Sequence, residues 1–246
     1  MERIPALWGS GMIPFVFPGI PRVICAFGSA RSGDIRLGRA GGDEKAVACR
    51  RAMLEAAGLD RWVELDQAHE DGFLVEPEAT PVELPAKIRA DGSCTREKNL
   101  ALLIKSADCQ PLFLAAPDGS AAAALHVGWR GNAINYPATG IRLFCETYSV
   151  KPAEVRVVRG PSLGPAASEF TNYAEEWPSR WHRYFDREKK SIDLWRLTHT
   201  QLLDAGVPAE HIFSLDLCTF AHPGFLFSYR RGDEARQGSM IWIGDD

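Results

Sequence analysis

The hydrophobic pattern is sharpest between Leu100 and Val127. Three short apolar runs, Leu100–Ser106, Gln110–Ala116 and Ala121–Val127, each have the length of one strand. Pro117-Asp118-Gly119-Ser120 separates the last two and predicts a hairpin, because Pro presets the turn and Gly accepts a positive φ. A symmetric turn between Asp118 and Gly119 sets Gln110 opposite Val127, Pro111 opposite His126 and Cys109 opposite Gly128. Side chains alternate faces along a strand, so Cys109, Pro111 and His126 share one face. Cys109 and His126 are then diagonal neighbours, with backbones roughly 7–8 Å apart. A slip of one residue would put them on opposite faces.

Helical spacing marks other stretches. EKAVACRRAMLEAA follows Asp43, a good N-cap, and runs to about Ala57 before Gly58 stops it. Ile192–Ala205 reads as a helix closed by Gly206, and Gly128-Trp129-Arg130-Gly131 opens another that extends to about Tyr148. Further strands are expected at Pro21–Phe27, Trp62–Leu65, Glu154–Arg159, Ile212–Cys218, Phe225–Tyr229 and Ser239–Ile243. Residues before Pro21 read as irregular, Gly28–Gly42 as a loop and Glu76–Pro85 as an exposed connector. Ser168–Lys190 reads as short surface helices. No repeat, low-complexity tract or linker divides the chain, so a single mixed α+β domain over 1–246 is expected.

Composition narrows the function classes. A net charge of −4 without a Lys/Arg run argues against a nucleic-acid or membrane-surface role, since either favours a basic patch. Pro14, Pro18 and Pro21 interrupt the apolar N-terminal region, and the sequence shows no signal peptide and no membrane span. Six scattered cysteines without a CxxC suggest free thiols in a reducing cytoplasm. Most are expected to be small buried hydrophobes, and only Cys109 has a chemically suggestive neighbourhood.

The Trp62–Leu65 strand delivers His69 to its end, and His69, Cys109 and His126 then stand out together. Two imidazoles and a thiolate, with no obvious fourth protein ligand, suit zinc with one coordination position left open, the pattern of catalytic sites. The same residues also permit a metal-free reading. Cys109 would be a nucleophile, His126 its general base, and the Gly128 or Arg130 amide an oxyanion donor. Asp108 could orient a histidine or relay a proton, or simply cap a turn. Arg50, Arg51, Arg130, Arg230, Arg231 and Arg236 adjoin Gly-rich or strand-end segments, where guanidinium forks suit phosphate. A multicopper cluster needs many imidazoles, and six histidines with no His-x-His pair are too few for it.

Several of these segments together resemble the YfiH-like family, also called the laccase-domain or multicopper polyphenol oxidase family. They are Gln67-Ala68-His69, Ala90-Asp91…Thr95, Ser106-Ala107-Asp108-Cys109-Gln110-Pro111, His126-Val127-Gly128-Trp129-Arg130-Gly131, Gly160-Pro161-Ser162-Leu163-Gly164 with Glu169, Cys218-Thr219 and Phe227-Ser228-Tyr229-Arg230-Arg231. The resemblance implies an α+β sandwich of β-sheets flanked by helices, of cysteine-hydrolase type. It implies Zn2+ held by His69, Cys109 and His126, with copper a second candidate ion. The activity implied is phosphorolysis of adenosine, inosine, guanosine or methylthioadenosine, with adenosine deamination as a second reaction. Cys109, Asp108 and Arg51 would be catalytic, and Arg130, Arg230 and Arg231 would hold substrate or phosphate. The chain departs from the family pattern at Glu70, at Ile35-Arg36, at Arg50 and in a shortened loop from Gly28 to Asp43. A catalytically quiet, ligand-binding relative is the alternative those departures raise.

Overall fold

The structure, a computed structural model, describes residues 3–38 and 43–245. Chain order begins α1 (Arg3–Gly9), β1 (Met12–Val16), β2 (Val23–Gly28), α2 (Glu44–Ala57), β3 (Trp62–Glu64), β4 (Phe73–Val75) and β5 (Gly92–Thr95). It continues through β6 (Ala101–Ser106), β7 (Gln110–Ala115), β8 (Ala122–Val127), α3 (Trp129–Ala133), α4 (Tyr136–Tyr148) and β9 (Arg156–Arg159). The last third holds α5 (Tyr173–Glu176), β10 (Phe185–Asp186), β11 (Ser191–Ile192), α6 (Leu194–Asp204), β12 (Ile212–Ser214) and β13 (Gln237–Ile243).

Two large sheets carry the fold. One has strand order β1-β2-β13-β6-β3 and the other β12-β9-β7-β8-β5-β4. They face each other across a core in which Phe27 stacks on Phe113 at 5.2 Å, with Leu102, Ile104 and Ile241 from the first sheet meeting Ala122, Ala124 and Val158 from the second. The outer faces are covered by helices. Leu103, Met240 and Trp242 pack under Leu7 of α1 and Met53 and Leu54 of α2. Leu112, Leu114 and Leu125 pack under Ile141 and Phe144 of α4 and Leu202 of α6. The α+β sandwich of sheets flanked by helices is therefore present. Central strands such as β7 and β8 are buried on both faces and read as continuous apolar runs for that reason.

The hairpin register is the expected one, with Gln110 opposite Val127 and Pro111 opposite His126. Helix α2 is also as expected: the Asp43 side chain accepts from the Ala46 amide, and Gly58 closes it at φ 64°. Residues 39–42 of the expected 28–42 loop lie outside the described residues.

Five expectations need correction. The N-terminal region is not irregular. It forms α1 and β1, and Pro14 is tolerated because β1 pairs only with β2 at the sheet edge. The helix expected from Gly128 to Tyr148 breaks at Asn135, which sits at φ 67°. Pro137 is the cause, since inside a helix it has no N–H for the Ala133 carbonyl four residues back. That carbonyl instead accepts from Trp181 Nε1 at 2.9 Å and Arg180 Nη2 at 3.2 Å.

Nor is Ser168–Lys190 merely a surface segment. Phe170, Trp177, Trp181 and Tyr184 are buried in a satellite core with Ile192, Leu194 and Leu197, and the charges between them mask the apolar pattern. Finally, Phe225–Tyr229 is a turn rather than a strand, and Ile212–Cys218 shortens to β12. Around Phe227 and Ser228 the backbone finds side-chain partners instead of a ladder. Phe227 N–H donates to Gln237 Oε1 at 2.7 Å, and Ser228 N–H donates to Asp233 Oδ2 at 2.8 Å.

Candidate metal centre

The site sits at the end of the inter-sheet layer. Strand β6 belongs to one sheet and β7 to the other, so Ala107-Asp108-Cys109 is a three-residue crossover between sheets. Asp108 makes the bend at φ 92°, an unusual conformation for a residue with a side chain. Both its carboxylate oxygens are engaged: Thr219 Oγ1 donates to one at 2.5 Å and the Arg230 amide to the other at 2.7 Å. The structure thus uses Asp108 to tie two distant loops to the crossover, and it orients neither histidine.

Cys109 and His126 converge on the inner face as the register required. His69 reaches them from the other sheet, on the segment after β3. Gln67 acts there as a strand surrogate, its amide donating to Lys105 O and its carbonyl accepting from Lys105 N–H, each at 2.8 Å. The ligand atoms of His69, Cys109 and His126 lie within 4.8 Å of one another, and the two imidazoles meet edge to face with centroids 4.8 Å apart. Gly128 leaves room for them: a Cβ there would stand 3.0 Å from Cys109 Sγ and 3.1 Å from His69 Cδ2.

Charge supports a ligand cluster. Burial pushes the Cys109 thiol up, but the His126 charge and hydrogen bonds from His126 and His69 outweigh it and draw the thiol down to about 6. Burial pushes His126 the other way, and the neighbouring Cys109 thiolate together with Asp91 raises it to about 9. A soft thiolate with two imidazoles and no fourth side chain is the donor set of an open zinc site, so these residues fit the ion. None of the other four histidines joins this cluster: His182 bonds Trp177 O, His222 bonds Cys218 O, Arg156 donates to His211, and His199 lies on α6. Among the described residues no other cluster of ligand side chains gathers the imidazoles that a multicopper centre needs.

The cluster opens into a groove of about 930 Å³. Arg130 and Arg230 line it, and so do Arg36, Lys105 and Arg236. The Arg130 guanidinium rests over the Trp129 ring at 4.3 Å and makes no hydrogen bond to a side chain or backbone group among the described residues. Arg230 donates to Glu169 O at 2.9 Å. Tyr229, 70% exposed, stands at the groove wall with Phe170 nearby.

Three of the expected arginines are not brought to the groove. Arg51 projects from α2 into solvent and pairs with Glu83 at 2.7 Å. Arg231 is a staple, donating to the carbonyls of Thr219, Phe220 and Leu226 and pairing with Asp233. Arg50 is wholly buried and paired with Glu64 at 2.7 Å. Of the departures from the family pattern, Glu70 faces away and pairs with Arg89, whereas Arg36 adds a cation to the groove.

Sequence reasoning names Asp91 only within a segment of the family resemblance and assigns no role to it, to Lys105 or to Phe170. Asp91 precedes β5, where an acid ordinarily caps a turn, and its imidazole partner is 35 positions away.

A family model described as multi-copper polyphenol oxidoreductase laccase matches residues 30–244. The purine nucleoside phosphorylase YlmD of Geobacillus stearothermophilus is 30% identical over 213 residues, 78% of this chain and 75% of that protein. The purine nucleoside phosphorylase YfiH of Escherichia coli is 28% identical over 244 residues, 91% and 95% of the two chains. Among solved structures, the hypothetical protein YfiH of Bacillus licheniformis shares the fold with a TM-score of 0.81 at 23% identity, covering 90% of this chain and 92% of that one. With most of its length matched in sequence and in fold, the chain belongs to the YfiH-like, laccase-domain family.

Proposed function

We propose that this chain is a zinc-dependent purine nucleoside phosphorylase acting on adenosine, inosine, guanosine or methylthioadenosine, with adenosine deamination as a side reaction. The observation that carries the reading is the convergence of His69, Cys109 and His126 at the head of a groove whose walls hold both cations and an exposed aromatic. The names of the YlmD and YfiH relatives support it. His69, Cys109 and His126 would hold the ion, which when bound supplies Lewis acidity toward a substrate oxygen or water.

The chain's own groups divide the remaining work. Arg130, Arg230 and Lys105 would neutralise and orient inorganic phosphate in the groove. Tyr229 and Phe170 offer ring faces for a purine. In the reaction a phosphate oxygen forms the bond to ribose C1′ while the C1′–N9 bond breaks, and the departing base takes a proton. The holders of phosphate and base must therefore face each other across the sugar, which a groove of this size permits.

A second reading rests on the Cys109 thiol, drawn toward thiolate beside His126, which also suits a metal-free cysteine hydrolase. Adenosine with and without phosphate, assayed before and after chelation, separates the two. Release of adenine only with phosphate, lost on chelation and restored by zinc, supports the phosphorylase. Turnover that survives chelation supports the hydrolase, and zinc binding without turnover supports a ligand-binding relative.

A further inference from the structure

We infer that Asp91 is the positioning residue of the metal centre, one carboxylate that sets the tautomer of His126 and the backbone that aims His69. The inference rests on the metal reading of the His69–Cys109–His126 cluster. Asp91 is fully buried and lies immediately before β5. Its Oδ1 receives the His126 ring at Nδ1, 2.7 Å away, and the His69 amide at 3.0 Å. Its Oδ2 receives the Ala68 amide at 3.1 Å and the Glu70 amide at 2.8 Å. Four donors on two carboxylate oxygens leave it no lone pair to spare and every reason to stay ionised. The main chain repeats the link, since His126 N–H donates to Asp91 O at 2.7 Å.

Two consequences follow for the ligands. A carboxylate only accepts, so Nδ1 of His126 carries the proton and Nε2 keeps the lone pair that a metal needs. On the other side, three consecutive amides converging on one carboxylate hold the turn in which His69 adopts φ 62°. That left-handed conformation is unfavourable for a residue with a side chain and persists only when its surroundings impose it. Asp91 thus reaches two of the three ligands, which come from different sheets, while standing outside the lining of the groove. Removing such an outer carboxylate typically weakens metal binding by about 10- to 100-fold.

The test uses the full chain and zinc itself. Asp91→Asn keeps the side chain's shape but replaces an acceptor oxygen with an amide nitrogen that faces backbone N–H groups. Zinc affinity is measured by competition with a chromophoric chelator, beside the circular dichroism and thermal unfolding of the metal-free protein. Cobalt(II) substitution adds the visible absorption of the ligand field as a readout of geometry. The expected result is a folded metal-free variant that binds zinc about 10- to 100-fold more weakly and shows an altered cobalt spectrum.

Wild-type affinity and an unchanged spectrum in the folded variant would overturn the inference while leaving the metal centre standing. A wild-type protein that takes up no zinc would overturn both. Should the variant not fold, ring-nitrogen NMR of the wild-type histidines decides. A proton on His126 Nδ1, with and without zinc, is the expected state, and a bare Nδ1 refutes the assignment.

Discussion

Gly128 offers the sharpest perturbation of the site, because it asks whether the space beside the ligands is needed. Its φ of −79° is one that any residue adopts, so alanine there brings no backbone strain. What alanine brings is a methyl group 3.0 Å from Cys109 Sγ and 3.1 Å from His69 Cδ2. Unstrained carbon contacts lie at about 3.5–4.0 Å, so both ligand side chains must retreat by roughly half an ångström. Overpacking of this kind costs about 1–3 kcal/mol. In the metal-free chain the two side chains are free to turn away and shed most of that cost, whereas a bound ion holds them in place. The penalty should therefore appear in metal affinity, a loss of roughly 5- to 150-fold at about 1.4 kcal/mol per tenfold. Chelator competition for zinc on Gly128→Ala, alongside thermal unfolding of the metal-free form, measures both quantities. Wild-type zinc affinity in Gly128→Ala would refute the convergence of Cys109 and His69 on one ion.

The neighbouring arginines of α2 should behave oppositely. Arg50→Ala strands the buried Glu64 carboxylate, leaving it only Lys105, and should destabilise by about 3–5 kcal/mol in denaturant titrations. Arg51→Ala breaks only an exposed pair and should change stability by about 0–1 kcal/mol, with no effect on the KM for phosphate. A raised phosphate KM in Arg51→Ala would show that this side chain reaches the site after all. Arg130→Ala should raise the KM for phosphate more than that for nucleoside, and Tyr229→Ala should do the reverse, both at unchanged zinc content; matched effects on the two substrates would disprove the division of roles. Arg231→Ala should lower the thermal midpoint by releasing three loop carbonyls, and an unaltered midpoint would mean the staple is dispensable.

Much of the site was readable because its strongest constraint is local. The hairpin of β7 and β8 is a period-two pattern around a Pro-Asp-Gly turn, and its register alone brings Cys109 and His126 to one face. Capping chemistry located α2 in the same way, through Asp43 and Gly58. What was not readable depends on long-range partners. Whether β6 and β7 share a sheet is not written in their own residues, and the crossover at Asp108 separates them. An arginine is a cation to a sequence reader whether it lines a groove like Arg130, staples a loop like Arg231 or fills a core like Arg50. Pro137 did carry the signal that splits α3 from α4, since a proline nine residues past Gly128 cannot sit inside a continuous helix. The aromatic core under residues 168–190 gave no periodic signal, because short turns present neither a period of two nor one of 3.6.

The central claim is that His69, Cys109 and His126 hold an ion on which phosphate-dependent cleavage of a purine nucleoside depends. The most direct measurement is adenine release from adenosine by the purified chain, with and without phosphate, for the wild type and for Cys109→Ala. The account predicts about one zinc per wild-type chain, adenine and ribose 1-phosphate formed only when phosphate is present, and neither metal nor product in Cys109→Ala. Adenine released at the same rate by Cys109→Ala, or without phosphate, would contradict it.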